Sequence, residues 1–237
     1  MLEEPSILEN LTYIASQNRT VTLITNFRGV PIPLSALVIR SSPTDGRVRL
    51  CIHHRQIVAL KTADQALMQS DLFAATVMAH IDEVDFHSQI VTLSNLRYVT
   101  GSMGKRKNVR VQPESPIHAE IITSHGFNLR GEIIDISLDG LSVRLSKNDL
   151  PGEEMLAPQA FVEIKLGLPG SQPATIHDLS IQAQIAYIKT EASFERIGLL
   201  AFPDEEDIQI IRRYIFDRQT EILTEIQEMN RSLLKTD

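Results

Sequence analysis

The chain has 237 residues, a formal net charge of −7 and a pI near 5.5, so a broad basic surface for duplex nucleic acid is not expected. Its single cysteine, Cys51, excludes an intramolecular disulfide and a multi-cysteine metal site. No apolar run approaches the roughly 20 residues of a spanning helix, and the first ten residues carry no basic region typical of a secretory signal, so we expect a cytoplasmic protein without a membrane span.

The first hundred residues are predicted to form a β domain after one short helix. Apolar positions at helical spacing predict that helix over Ile7–Gln17. From Thr20 the apolar period becomes two, and Asp45-Gly46 between two alternating runs is typical of a hairpin. The predicted strands are Val21–Thr25, Leu37–Ile39, Val48–Ile52, Phe73–Val84 and Gln89–Val99. Residues 63–69 are expected to cross between strands, and the whole of 1–100 to form a small antiparallel β-barrel or sandwich.

Residues 101–110 are predicted to be a basic linker. Glycines and small polar residues interrupt the strand pattern there, and the run Lys105 to Arg110 places four cations in six residues. A concentrated basic patch in an acidic protein suits a small anionic ligand better than a long polyanion.

A second strand-rich domain is predicted over residues 111–203. The predicted strands are Ile117–Ser124, Leu129–Ile136, Leu141–Leu145, Ala160–Leu166, Ile181–Ile188 and Ile197–Phe202. Several short strands at this spacing favour a barrel over a parallel βαβ fold.

Residues 204–237 are predicted to form a long helix. Pro203 and the four acidic residues after it are a strong helix start, since carboxylates are favoured at the positive end of the helix dipole. An apolar stripe follows from Ile208 to Leu233. The helix is longer than one small barrel can cover, so part of it is expected to pack on another chain, giving a homo-oligomer, or on the N-terminal domain.

Two short motifs carry the chemistry of a binding site. The first is Arg106-x-x-x-Arg110, and the second is Asp135-x-Ser137-x-x-Gly140. Guanidinium groups bind phosphates and paired acceptor atoms and stack on planar rings, and an ionised carboxylate accepts hydrogen bonds from N–H donors. Each motif alone has a simpler interpretation, as a solvated basic run or a capped turn.

The two motifs in this order, followed by the closing strand Arg196–Phe202, resemble a PilZ domain over residues 104–205. The N-terminal half resembles the β-barrel that precedes PilZ in flagellar-brake-type receptors. The resemblance implies a mostly β protein with a split-barrel-like N-terminal domain, a six-stranded C-terminal barrel and the long helix. It also implies cyclic di-GMP as the ligand, with no other cofactor and no metal.

By this resemblance, Arg106 and Arg110 bind guanine and phosphate, while Asp135, Ser137 and Gly140 hold a second part of the ligand. Further candidates are Lys105, Arg144 and Gly198. Lys105 could favour a stacked pair of ligand molecules over one or could be a solvated lysine.

Asp139 departs from the small residue common at this place in the motif. Its carboxylate could repel phosphate unless it points to solvent or pairs with Arg144, which otherwise is expected to be a strand-surface charge.

The resulting expectation is a receptor in which ligand binding rearranges the two domains and so regulates a protein partner in flagellar motility, biofilm or exopolysaccharide machinery. The alternative is a ligand-independent scaffold that oligomerises through the C-terminal helix. An enzyme is disfavoured because the sequence contains no believable nucleophile–base pair.

Overall fold

The structure is a computed structural model that describes residues 6–99, 108–147, 156–172 and 174–233. The chain divides into two compact units. The first unit comprises Met1–Lys107 together with Ile222–Asp237, and the second comprises Asn108–Glu221.

The strands of the first unit form a closed antiparallel barrel in the order β1-β2-β3-β6-β5-β4. Its elements are helix α1 (Ile7–Ser16), β1 (Thr20–Phe27), β2 (Val30–Ser42), β3 (Arg47–Cys51), a 3-10 turn (His54–Gln56), α2 (Ile57–Lys61), β4 (Gln65–Gln69), β5 (Val77–Asp85) and β6 (Ile90–Tyr98). The barrel interior is filled by the inward side chains of the alternating strands, including Val21, Leu23, Val48 and Leu50.

Local sequence signals explain the start of this unit. Ser6 and Glu9 form a capping box, in which the Ser6 hydroxyl accepts from the Glu9 amide at 3.2 Å and the Glu9 carboxylate accepts from the Ser6 amide at 2.6 Å. The predicted helix Ile7–Gln17 is therefore confirmed, with its end at Ser16. The predicted hairpin is also confirmed, since Gly46 takes a φ of +66° between β2 and β3.

Two predictions in this unit are wrong in detail. Residues 63–69 do not merely cross between strands, because β4 closes the barrel by pairing with both β1 and β5. The predicted strand Phe73–Val84 begins only at Val77. Phe73 sits in a turn, where its amide donates to the Ser70 carbonyl at 3.2 Å, and its buried ring gave an apolar signal without strand geometry.

The second unit is also a closed antiparallel barrel, in the order β10-β11-β12-β9-β8-β7. Its strands are β7 (His118–Thr123), β8 (Asn128–Ser137), β9 (Gly140–Ser146), β10 (Phe161–Pro169), β11 (Ile176–Thr190) and β12 (Phe194–Phe202). The prediction of a mostly β protein with two small antiparallel barrels, the second with six strands, is confirmed.

Helix α3 (Glu205–Leu233) follows the second barrel, as predicted. Asp204 caps it, since its carboxylate accepts from the Asp207 amide at 2.8 Å. None of the helices within the described ranges is long and apolar enough to cross a membrane.

The apolar stripe of α3 is used within the chain. Ile211 and Ile215 are buried in the part that belongs to the second unit, and Ile222 and Ile226 are buried in the part grouped with the first. Within the first unit, Asn230 Nδ2 donates to the Arg55 carbonyl at 3.1 Å. The end of the helix thus packs on the N-terminal domain, one of its two predicted partners, and packing on another chain stays a prediction.

A candidate ligand-binding site on the second barrel

The first motif reaches the second barrel through an isolated β-bridge. The Val111 amide donates to the Ile136 carbonyl at 2.9 Å, and the Ile136 amide donates back at 3.0 Å. This bridge places Arg110 beside β8, where its Nη1 lies 3.6 Å from Asp135 Oδ1. One residue from each motif is thus brought together. Arg106 and Lys105 lie outside the described residues.

Asp135 is a buried carboxylate held from three sides. Its Oδ2 accepts from Arg196 Nη2 at 2.6 Å, and its Oδ1 accepts from Ser142 Oγ at 3.1 Å and lies near Arg110. Arg196 Nη2 also lies 3.3 Å from Ser142 Oγ. Because a carboxylate has about four lone-pair positions, Asp135 keeps acceptor capacity for a further donor.

Ser137 and Gly140 shape the turn between β8 and β9. The Ser137 hydroxyl lies 2.6 Å from Asp139 Oδ1 and 2.9 Å from the Gly140 carbonyl oxygen, and the side chain is buried. A Cβ at Gly140 would overlap the Leu199 carbonyl on β12. The missing side chain at residue 140 therefore allows a close approach to a neighbouring strand.

Asp139 is tied into the same turn. Burial opposes its ionisation, but hydrogen bonds from Ser137, from its own backbone and from Asn108, together with the charge of Arg110, outweigh burial and lower its pKa. Asp139 is an exposed residue, in keeping with the alternative that it points to solvent, and its carboxylate is also hydrogen-bonded to Ser137. Its charge is already balanced by groups of the turn and by Arg110.

A row of four residues crosses four neighbouring strands at this place. Asp135 on β8 pairs with Ser142 on β9, Ser142 with Gly198 on β12, and Gly198 with Tyr187 on β11. Register shifts lie between Ile133 and Asp135 and between Ile185 and Tyr187.

These two bulges decide which way the ends of the row face. Ile133 and Ile185 point into the barrel, and in a regular strand the residue two positions later would share that face. The extra residue in each bulge turns Asp135 and Tyr187 to the outer face instead. Both bulges therefore direct a polar or aromatic side chain toward the same surface.

Residues 104–217 match the family model of the PilZ domain. This part of the chain is a PilZ domain. The matched residues include both motifs, the closing strand β12 and the start of α3. The predicted resemblance over residues 104–205 is confirmed.

The further candidates occupy different places in the PilZ domain. Gly198 lies in the four-strand row, where a Cβ would overlap the Tyr187 ring. Arg144 lies over the Phe194 ring at 4.9 Å and pairs across the strands with Arg196, so it is on the outer face near the row. Lys105 stays a prediction.

Sequence reasoning missed three residues of this surface: Ser142, Tyr187 and Arg196. Arg196 precedes Gly198 by two positions, so the alternation of β12 could have placed the two on one face. Tyr187 had no such signal, because the bulge that redirects it leaves no mark in the apolar period.

The surface around the row is rich in cations. Arg196 pairs across the strands with Arg144 on one side and Lys189 on the other, and Arg110 approaches from the bridge. Lys189, Arg196 and Arg144 thus form a second row beside the first, and Glu132, which pairs with Arg144, ends it. The arrangement suits a planar anion that also offers donors to Asp135. Within the described ranges, no group of three or more His, Cys, Asp or Glu is placed to hold a metal ion.

Two curated relatives are uncharacterised proteins of Aquifex aeolicus (strain VF5). One is 28% identical over 134 residues, covering 52% of this chain and 55% of the relative. The other is 32% identical over 126 residues, covering 52% and 54%. The chain thus spans about half the length of the relatives it matches.

Three solved structures match most of this chain. The Klebsiella pneumoniae MrkH–cyclic di-GMP complex is 16% identical with a TM-score of 0.47, covering 91% of this chain and 95% of that one. Escherichia coli YcgR with cyclic di-GMP is 15% identical with a TM-score of 0.45, covering 95% and 96%. Bacillus subtilis MotI is 13% identical with a TM-score of 0.44, covering 86% and 97%.

Proposed function

We propose that this chain is a non-enzymatic receptor for cyclic di-GMP. The observation that carries the proposal is the pairing of Arg110 with Asp135 on the outer face of a PilZ barrel, which joins one residue of each predicted motif. Cyclic di-GMP offers phosphodiesters to the cations and guanine edges to the carboxylate.

The proposed roles follow the donors and acceptors of the site. Arg106 and Arg110 bind guanine and phosphate, since a guanidinium can pair with both and can stack on a base. Asp135 accepts from guanine N1–H and N2–H with the lone pairs that Arg196 and Ser142 leave free. Ser137 and Gly140 complete the site by holding the turn beside it.

Arg110→Ala tests this proposal directly. We expect the variant to bind cyclic di-GMP at least about tenfold more weakly, because it loses a charged hydrogen-bond donor. Titration calorimetry on the full chain measures the affinity. GTP and cyclic di-AMP are the control ligands, and we expect both to bind poorly.

Arg130→Ala is the matched control. Arg130 is an exposed arginine of β8 that pairs with Glu120 at 3.3 Å, so its loss removes the same charge from the same strand without touching Asp135. Equal affinities for the two variants and the native protein would refute the site assignment.

We also infer that ligand binding alters the arrangement of the two domains. Lys105, Arg106, Lys107 and Arg110 repel one another until ligand phosphates neutralise them. A ligand that favours one arrangement shifts the population toward it. The new arrangement would regulate a partner in flagellar, biofilm or exopolysaccharide machinery.

A ligand-independent scaffold is the second candidate function. The outer face of α3 exposes Phe216 and Leu223, which are seven positions apart and so lie on one side of the helix. Self-association through this face would give the predicted homo-oligomer without any ligand. Absence of binding heat at protein concentrations well above the micromolar range would favour this function.

A further inference from the structure

Tyr187 is an aromatic side chain on the outer face of the PilZ barrel. The bulge between Ile185 and Tyr187 removes it from the core face that Ala183 and Ile185 occupy. The relative exposure of Tyr187 is 39%. The bulge therefore presents the ring on the outer face of the sheet.

The ring is held by the glycine beside it. Gly198 faces Tyr187 across β11 and β12, and three atoms of the ring lie where a Cβ of residue 198 would stand. The ring thus packs over the bare backbone of Gly198, as aromatic residues do opposite strand glycines. This contact fixes the ring orientation before any ligand arrives, so little side-chain entropy is lost on binding.

The ring points toward the ligand-binding carboxylate. Tyr187 Oη lies 3.5 Å from Ser142 Oγ, and Ser142 Oγ donates to Asp135 Oδ1 at 3.1 Å. Tyr187 is therefore two hydrogen-bond steps from the group that we assign to guanine. A purine whose edge meets Asp135 spans several ångströms, so a base at this site lies close to the ring.

The charges around the ring favour an anionic ligand. The row next to Tyr187 and Gly198 carries Lys189, Arg196 and Arg144 on three adjacent strands. Lys189 pairs with Glu191 at 3.4 Å, and Arg196 pairs with Asp135, so part of this charge is balanced. An aromatic face beside cations provides both components of nucleotide binding, stacking and phosphate attraction.

We propose that Tyr187 is a base-stacking residue of the site, with one purine of the ligand lying against its exposed face. This inference rests on the proposed binding of cyclic di-GMP. It extends the site from the two motifs on β8 and the linker to β11, and it assigns Gly198 a role as the platform under the ring.

The test compares Tyr187→Phe and Tyr187→Leu in titrations with cyclic di-GMP. Stacking needs the ring and not the hydroxyl, so Tyr187→Phe should bind within about twofold of the native chain. Tyr187→Leu should bind about tenfold more weakly or worse, at the scale of one lost base stack. Phe161→Leu is the control, since Phe161 is an exposed ring (59%) on β10 of the same barrel.

A spectroscopic readout separates stacking from a purely structural role. The chain has no tryptophan and four tyrosines, so its intrinsic fluorescence comes from tyrosine. A base stacked on Tyr187 should quench part of this emission. In Tyr187→Phe this part of the quenching should be missing, although the variant still binds cyclic di-GMP. A second variant, Gly198→Ala, displaces the ring and should weaken binding like Tyr187→Leu.

The outcomes distinguish the two proposals. If the native chain binds and Arg110→Ala does not, but Tyr187→Leu binds as tightly as Phe161→Leu, the stacking role is overturned and the receptor function stands. Identical ligand-induced quenching in the native chain and Tyr187→Phe also overturns it. Absence of binding by the native chain overturns both.

Discussion

At the scale of single residues, the PilZ site holds an unusual concentration of fixed charge. Asp135 is buried beside Arg196 and Arg110, and Asp139 is held ionised two positions after Ser137. Buried ion pairs are strongly disrupted when one partner is removed, because the other charge is left unpaired. A ligand whose phosphates attract these arginines would otherwise leave the Asp135 carboxylate unpaired. Guanine N–H donors that bind Asp135 would keep this carboxylate hydrogen-bonded.

Tyr214 provides a test of burial at the residue scale. Burial raises its pKa from 10.0 to about 12, with Arg218 opposing the rise and Glu221 and Glu114 adding to it. A raised pKa means that the folded state favours the neutral phenol. The resulting stability is complete below pH 10 and is lost as the pH rises through 12.

We expect Tyr214→Phe to remove this loss of folding stability at high pH, because phenylalanine has no ionisable hydroxyl. The difference in urea midpoint between the native chain and the variant should change between pH 10 and pH 12, with the native chain falling faster. Tyrosinate absorbance should also show one late-ionising group in the native chain only. A midpoint difference that stays constant over this range would contradict the burial argument.

At the scale of elements, α3 holds the segment that carries Arg110. Arg218 interrupts the apolar stripe of the helix, yet its side chain is only 3% exposed. Its Nε donates to the Gln112 carbonyl at 2.9 Å, and its Nη1 donates to Glu221 at 2.9 Å. Gln112 follows Val111, so β8 and α3 together fix the backbone next to Arg110.

Arg218→Met should therefore weaken both stability and ligand binding. Loss of a charged hydrogen bond that leaves the Gln112 carbonyl without this donor costs about 1–3 kcal/mol. We expect a lower urea midpoint and a several-fold weaker affinity for cyclic di-GMP. Arg212→Met is the control, since Arg212 is exposed and bonds to Gln209 within the helix. Equal midpoints for the two variants would show that the Gln112 bond contributes nothing.

At the scale of the whole molecule, we propose that cyclic di-GMP changes the arrangement of the two units. The described residues of the proposed site belong to the second unit, and the basic run from Lys105 to Arg110 crosses the boundary between the two units in the sequence, which falls after Lys107. Neutralising those charges removes the repulsion between them.

Small-angle scattering of the full chain should therefore show a changed radius of gyration with cyclic di-GMP, and a smaller change for Arg110→Ala at the same ligand concentration. The same data give the molecular mass. If the native chain has the mass of two or more chains and the double variant Phe216→Glu/Leu223→Glu has the mass of one, oligomerisation through α3 is supported. A profile that cyclic di-GMP leaves unchanged would instead favour the scaffold function.

The sequence by itself determined most of the strands, the start of α3 and the two motifs. Alternating apolar residues place side chains on two faces, and Asp45-Gly46 and Pro203 mark a turn and a helix start through local backbone preferences. These signals are local, so they could be read without knowing any neighbour. The roles of Arg106 and Lys105 still rest on the sequence alone.

Only the tertiary structure decided which residues meet at the site. The bulges before Asp135 and Tyr187 reverse the facing of each side chain, and they depend on pairing with β9 and β12. Gly198 supports the site because the Tyr187 ring of the neighbouring strand packs over its backbone. Arg218, a break in the apolar stripe, is buried because a backbone carbonyl distant in sequence satisfies it. Such contacts depend on strand order and long-range packing, which a local pattern does not contain.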